Sequence, residues 1–479
     1  MRSKIIGATA LLLSFASAET AFQMHGKAWM DYGRLVHVED TIVNRMSQDN
    51  ILNYNGNAVS TVGAQFTVIA DLTENLEGGF GFGAYKASHA MANGQYPWFT
   101  ISLFQNFLTQ SRLTWYTGEK AAPNLSVTVG GFPHNYNPDV KNLGLYLLRG
   151  SVYPGILMGG FGDFGADSTK SNMLGLKLHH AAGNFSHDLI LNSEREIPPT
   201  FDWSLAYIAK MKLGALTLGA GANFYRLIPY NSKLMAPGKD TTLFKGSARR
   251  PYIEVDTTNP LKPDTTFFTH QGTKVVGTMS LDIKSLLGIG ESWHPDDMKL
   301  YAEGGVIGVT NYGKAYGKIG ERIPIMVGFN FPTFGLLDHL SFEVEHYGAK
   351  YRNDLTLVGN NNVVADWTIQ EHPIPSPKPP SNADYSIDTA GYFVKSTGEK
   401  VYVRGTASDK ENVTKDDIKW SIYVDKVVAK HVQFVAQVAN DHYRPRPTAS
   451  NVIKSEGGTA EAFASPKDWY FMLRVGYFF

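Results

Sequence analysis

Read in steps of two, the chain divides into apolar and polar faces over most of its length. The C-terminal segment shows this most plainly: Trp469, Phe471, Leu473, Val475, Tyr477 and Phe479 share one parity, against Tyr470, Met472, Arg474, Gly476 and Phe478 on the other. Successive side chains of a β-strand point to opposite faces, so one face here is wholly apolar. Leu125, Val127 and Val129 alternate with Ser126, Thr128 and Gly130; Leu174, Leu176 and Leu178 alternate with Gly175, Lys177 and His179. The pattern returns at 202–210, 216–225, 341–345, 418–425 and 432–438. Helical i, i+3, i+4 spacing describes none of these segments as well.

The alternation predicts strands at 22–36, 58–71, 75–87, 104–117, 123–132, 171–180, 184–193, 202–211, 214–227, 269–284, 298–311, 322–331, 339–350, 416–426, 431–443 and 468–479. That makes sixteen; fourteen or eighteen stay open, because boundaries shift by a few residues and Trp98 to Leu108 has room for extra structure. The links alternate in length. Those at 71–75, 118–123, 181–183, 212–213, 331–338 and 426–430 are short, and those at 37–57, 88–103, 133–170, 228–268, 351–415 and 444–467 are long. The links at 194–201 and 312–321 belong with the long set but are brief, and 285–297 is the one long member of the short set. In hydrocarbon every backbone polar group must be paired within the protein, which leaves only helices and closed barrels as spanning structures. Beyond the N-terminus no apolar run of about 18 residues could span as a helix. The expected fold is therefore an all-β, transmembrane, antiparallel up-and-down barrel.

Composition adds compartment and exclusions. Arg2 and Lys4 precede an apolar stretch at 5–15 and the small residues Ala16-Ser17-Ala18, which predicts a cleaved signal peptide over 1–18 and a single barrel domain over 19–479. With no cysteine among 479 residues, disulfides, thiolate zinc sites and cysteine nucleophiles drop out. Lys+Arg and Asp+Glu number 44 each, so bulk electrostatics offers nothing to nucleic acid. Within 351–415, the run Glu371 to Pro380 reads as polyproline II. Tyr392-Phe393-Val394 and Val401-Tyr402-Val403, flanking Ser396-Thr397-Gly398-Glu399, read as a small surface hairpin.

Signal, alternating strands, alternating links and a terminal Phe479 with Tyr477 two residues earlier together resemble the bacterial outer-membrane porins. The resemblance implies an outer-membrane location, Tyr477 and Phe479 as a signal to the barrel-assembly machinery, lipid as the surrounding partner, and a homotrimer. It also implies a third external loop that folds inward, which here is 133–170. Pro138 and Asp139 open a short predicted helix through Leu148, with Gly150 as its stop. Leu143, Leu145, Tyr146, Leu147 and Leu148 need apolar cover, so packing on the inner wall is expected over an extracellular cap. The acidic loop motif of the best-known general porins has no close match here, so no selectivity is carried over.

Inner parity places Lys27, Asp31, Arg112, Lys177, Lys210, Asp282, Glu303, Arg322, Glu343, Glu345 and Arg474 in the lumen. Asp139, Lys141 and Arg149 on the loop, with Lys27, Arg112 and Arg474 on the wall, are the candidate constriction residues. Trp29, Tyr225 and Tyr423 share that parity and could stack on sugars. Such stacking, or long loops acting as an adhesin, is the alternative to a passive diffusion channel for small hydrophilic solutes. His134 with Asp139, His187 with Asp188, and Asp441-His442 are the pairings a barrel hydrolase would need, but chance adjacency among 14 histidines accounts for them, and no enzyme is expected. Asn135, Asn137 and Asp139 have the spacing of a calcium loop, yet Val140 stands where Gly is required and Tyr146 where Glu is. No cofactor is expected apart from structural calcium in the external loops.

Overall fold

The computed structural model describes residues 21–37, 41–43, 51–53, 56, 58–90, 100–141, 161–162, 171–193, 201–228, 252–256, 264–268, 272–289, 293–306, 309, 318–347, 385–387, 393–395, 400–401, 418–440 and 466–479. The predicted signal peptide, Arg149, most of 133–170 and the polyproline run lie outside them. Sixteen antiparallel strands close into one barrel. They are β1 (Ala21–His37), β2 (Ala58–Thr73), β3 (Leu76–Ala90), β4 (Thr100–Thr117), β5 (Leu125–His134), β6 (Ser171–Ala182), β7 (Phe185–Ser193), β8 (Trp203–Leu213), β9 (Leu216–Ile228), β10 (Gly272–Asp282), β11 (Lys299–Val306), β12 (Pro324–Asn330), β13 (His339–Tyr347), β14 (Ile418–Val428), β15 (Val432–Ala439) and β16 (Trp469–Phe478). Each pairs with its neighbour in sequence, and β16 returns to β1 with Met30 opposite Val475 and Asp31 opposite Arg474. A two-residue segment, Phe161–Gly162, adds to β6 without entering the ring. Within the stretch Trp98 to Leu108, the described residues, from Thr100 on, all belong to β4.

The two parities separate as expected. Met30, Tyr32, Val62, Leu113, Val129, Leu176, Leu178, Leu473, Val475 and Tyr477 stand exposed on the outside with no protein cover. Asp31, Glu77, Ser126, Thr128, Glu303, Glu343, Glu345 and Arg474 are buried on the inside. An outer surface of this kind is stable against lipid and unstable against water. Aromatic side chains lie across glycines on the neighbouring strand, Trp29 over Gly63 and Tyr301 over Gly328, so the glycines make room for inward rings.

Several boundaries differ from the sequence expectation by a few residues, two of them for a local reason. Strand β10 ends at Asp282, whose carboxylate accepts from the Ser285 amide at 3.1 Å and starts the short helix α1 (Ile283–Leu287); Gly288 closes it with φ 64°. Residues 319–322 form a 3-10 turn before β12, so Arg322 precedes the strand rather than lining it. Strand β11 is described as far as Val306, and most of the remaining expected span to 311 lies outside the described residues. The long links carry small sheets of their own: Tyr252–Asp256 pairs with Asp264–Phe268, and Tyr385–Ile387, Phe393–Lys395 and Lys400–Val401 form three strands. In the last, Phe393 opposite Val401 is the hairpin expected within 351–415.

One pair of strands leaves the wall. Pairing of β4 with β5 stops at Gly131, and pairing of β7 with β6 stops at Gly175, while β5 and β6 continue together to His134 and Ser171. At both points the neighbouring backbone comes too close for a side chain. A Cβ at Gly130, where φ is +111°, would lie 2.2 Å from the Ser111 carbonyl oxygen, and one at Gly175 would lie 1.9 Å from that of Leu191. Beyond the bend, Phe132 and Met173 are buried with the inward residues Ile190, Ala206, Ile208, Val276, Tyr301 and Met326. The free end of the β5–β6 pair therefore lies inside the barrel.

Candidate functional site

The chain continues inward after His134. Tyr136 and Val140 join the same buried cluster, at about 1.5–3 kcal/mol for each large apolar side chain removed from water. A turn at 137–140 follows, with the Val140 amide donating to the Asn137 carbonyl. Polar groups fix this segment to the wall: Lys210 donates to the Tyr136 carbonyl at 2.9 Å, and Asn137 to Glu303 at 2.8 Å. Lys299 donates to Asp139 at 3.0 Å, and Lys141 pairs with Asp296 at 3.3 Å. Asp296 belongs to the link between α1 and β11, at the end of the barrel where the turns are short. The segment 135–141 thus runs along the inner face of β8 to β11 and reaches that end.

That end is charged and cross-linked by hydrogen bonds. Lys284 lies among the carbonyls of His294, Pro295 and Asp297, and holds the link as a fixed arch. Asp296 accepts from Lys299 at 2.6 Å and from His339 Nε2 at 3.1 Å, and His339 Nδ1 meets Asp425 at 2.6 Å. The hydrogen bond from His339, supported by the one from Lys299, holds the Asp296 carboxyl well below the usual carboxylate range against the opposing effect of burial. Burial, with His339 beside it, lowers His294 below its ordinary value.

Of the wall residues named from sequence, Lys210 and Glu303 meet this segment, while the candidate constriction residues of the wall lie elsewhere with their own partners. Arg474 grips Asp31 through two hydrogen bonds, at 2.6 and 2.8 Å, on the β1–β16 seam. Arg112 donates to Glu77 and to Thr114 at 2.6 Å each, and to Gln110 at 3.0 Å. Lys27 donates to Gln433 at 3.2 Å and sits 5.0 Å from the Phe478 ring centroid. Lys177 faces Asp188 at 3.6 Å. Asp139 and Lys141 are thus brought together with Lys299 and Asp296 rather than with Lys27, Arg112 or Arg474. Lys120, in the link after β4, pairs with both Asp71 and Glu77, hydrogen bonds that raise its pKa.

Of the pairings a hydrolase would need, the two among the described residues do not assemble. His187 points outward against Tyr207 and Phe185, while Asp188 points inward to His179 at 2.7 Å. Asp139 is held by Lys299, His134 is buried, and Asp441-His442 lies outside the described residues. Asn137 and Asp139, two of the calcium-loop positions, are committed to Glu303 and Lys299. Trp29 and Tyr423 are buried inward, and the Tyr225 side chain is outside the described set. Sequence reasoning missed Asp296, Lys299, His339 and Asp425. The signal for Asp296 was the anomalous length of the 285–297 link and its Trp293-His294-Pro295-Asp296-Asp297 run; Lys299, His339 and Asp425 carried none.

Tyr477 and Phe479 face outward at the short-turn end, with ring centroids 6.2 Å apart. Phe479 exchanges backbone hydrogen bonds with Gly26, and its ring lies where a Cβ on Gly26 would be.

No protein-family model matches the chain, and no curated protein matches it significantly. Among solved structures it is similar in outline to two mutants of the porin of Rhodopseudomonas blastica, one doubly and one triply substituted. Each is 7% identical with a TM-score of 0.38, over 96% of this chain and 100% of the porin. A third mutant of that porin is 8% identical, with a TM-score of 0.37 over the same shares.

Proposed function

We propose that the protein is a bacterial outer-membrane porin, a passive diffusion channel for small hydrophilic solutes whose lumen is narrowed by the 133–170 link. The observation that carries this reading is the division of the closed barrel into an apolar outer wall and a charged inner one, with a chain segment fixed against the inner wall. Lys27, Gln65, Arg112, Lys177 and Gln433, on strands away from the segment 135–141, keep partial exposure inside the barrel, as do Lys210 and Lys299 beside it. Opposite charges paired across short distances order water and favour polar over apolar passengers, with no chemistry required.

Export by a signal peptide over 1–18, delivery through Tyr477 and Phe479 to the assembly machinery, and association as a trimer belong to the same proposal. The short turns then face the periplasm and the long links the exterior. Single-channel recording in planar bilayers tests it. The intact protein is expected to give discrete ohmic steps, and deletion of 136–141 is expected to raise the step size. A barrel that passes no current would favour an adhesin working through its long links, and a deletion that leaves conductance unchanged would remove the narrowing role of the segment.

A further inference from the structure

Among the described residues, His294, Asp296 and His339 each offer a ligand atom, and these atoms all lie within 4.8 Å of one another. Two imidazoles and a carboxylate are a recurring three-ligand set for zinc with one position left open. Three further observations make this more than a chance gathering. His339 turns Nδ1 to the Asp425 carboxylate at 2.6 Å, which directs Nε2 at Asp296 and supplies the outer carboxylate that ligating histidines commonly have. His294 and Asp296 are presented by the arch that Lys284 fixes through three carbonyls, so their backbone is set in advance. The His294 and His339 rings meet edge to face at 4.7 Å and 76°, so the two imidazoles are neighbours beside Asp296. Ligands of a tetrahedral zinc at about 2.0–2.2 Å from the ion sit roughly 3.5 Å apart, so closure asks for side-chain shifts of about 1 Å.

We propose that His294, Asp296 and His339 form a site for a zinc-class divalent cation at the short-turn mouth of the barrel, and that the Lys141 ammonium is its competitor for Asp296. The two oxygens of Asp296 divide the work. Oδ1 is held by Lys299 at 2.6 Å, while Oδ2 is shared by His339 and Lys141 at 3.1 and 3.3 Å. An ion bridging Oδ2 and His339 Nε2 would release to solvent the proton that Nε2 now donates to Oδ2 and would compete with the Lys141 contact, so the inward segment would lose its tether at Lys141 while keeping Lys299 on Asp139. The site would thus couple a metal to the position of residues 137–141. Binding itself does not rest on the channel reading, because it is a property of the folded barrel whether or not solute passes.

Titration of the full-length, detergent-solubilised protein with Co²⁺ tests the proposal, with visible d–d absorption as the readout and Zn²⁺ as the displacing ion. The expected result is one equivalent of Co²⁺ with intense four- or five-coordinate bands, bleached by Zn²⁺. His294→Ala and His339→Gln should each weaken binding at least about tenfold, and Asp425→Asn about tenfold through the outer carboxylate. Lys141→Met, which removes the competitor and touches no ligand, should tighten binding several-fold. It also keeps the test decisive if a histidine variant fails to fold. Co²⁺ binding that ignores His294→Ala, or that weakens in Lys141→Met, would overturn the site. Bands of octahedral intensity only, unchanged in every variant, would assign the metal to surface histidines such as the outward pair His180 and His187.

Discussion

Leu178 and His179 are neighbours at one depth that face opposite ways, so a single substituent placed at each reads out which side of the wall is lipid. Leu178 is exposed on the outside, opposite Leu189, the central residue of the nine-residue strand β7. His179 points inward, with its Nδ1 2.7 Å from Asp188. Arginine at an outward mid-depth position costs about 2–4 kcal/mol in a lipid bilayer, because the guanidinium must snorkel or thin the bilayer. That corresponds to roughly a 30- to 800-fold loss in the folding equilibrium constant. Arginine at 179 replaces one partner of Asp188 by another in a polar, partly hydrated environment, so its effect should stay within about 1 kcal/mol. Urea unfolding in fluid phosphatidylcholine vesicles, followed by tryptophan fluorescence, measures both. Leu178→Arg is expected to lower the midpoint clearly and His179→Arg hardly at all. Equal effects, or the reverse order, would refute the assignment of faces on which the lumen depends.

Three further outcomes follow from particular contacts. Asp31→Ala leaves the buried Arg474 guanidinium without its two-bond partner and should cost about 3–5 kcal/mol in the same unfolding assay, whereas the double change Asp31→Leu with Arg474→Met should recover most of it. Lys430 holds a left-handed conformation at φ 65° in the turn between β14 and β15, so Lys430→Gly should stabilise the barrel by about 1 kcal/mol. Asp296 and Asp338 have carboxyls held below the usual range, the first by His339 and Lys299, the second by the Val427 amide and Lys426 against burial. A carboxylate depressed in the folded state binds fewer protons than it does unfolded, so its contribution is complete above about pH 4 and lost as pH falls through the lower folded value. The short-turn links should therefore loosen only in strong acid, seen as a drop in unfolding midpoint below pH 4 that is smaller in Asp296→Asn.

Much of the fold was legible because lipid and lumen impose opposite demands at a period of two, and each strand carries that record without help from its neighbours. Trp469 to Phe479 could be assigned by itself, and so could Leu174 to His179. The inward turn of β5 and β6 was not readable the same way. It depends on Gly130 and Gly175 lying against the carbonyls of Ser111 and Leu191, and a glycine in a strand does not say which backbone approaches it. The site was legible in half. Asp139 and Lys141 stood out because their loop was long and apolar residues followed it. Their partners Lys299 and Asp296, and His339 behind Asp296, are brought to them by the tertiary fold, across 160 residues in the Asp139–Lys299 case, and no local pattern encodes such a meeting. Arg322 was misplaced for a simpler reason: a short 3-10 turn before Pro324 carries the same residue types as a strand end.

The seam between the first and last strands has a kinetic meaning. Arg474 and Asp31, which meet there, are 443 residues apart in sequence, and the amide and carbonyl of Phe479 find theirs on Gly26. No earlier portion of the polypeptide can stand in for that final partner strand. Until it arrives, two long hydrogen-bonding edges remain open, and joining ends so distant is slow as well as entropically costly. The cell must therefore shepherd a nearly complete but unsealed sheet, and a lesion confined to the last dozen residues should produce aggregation rather than a smaller barrel.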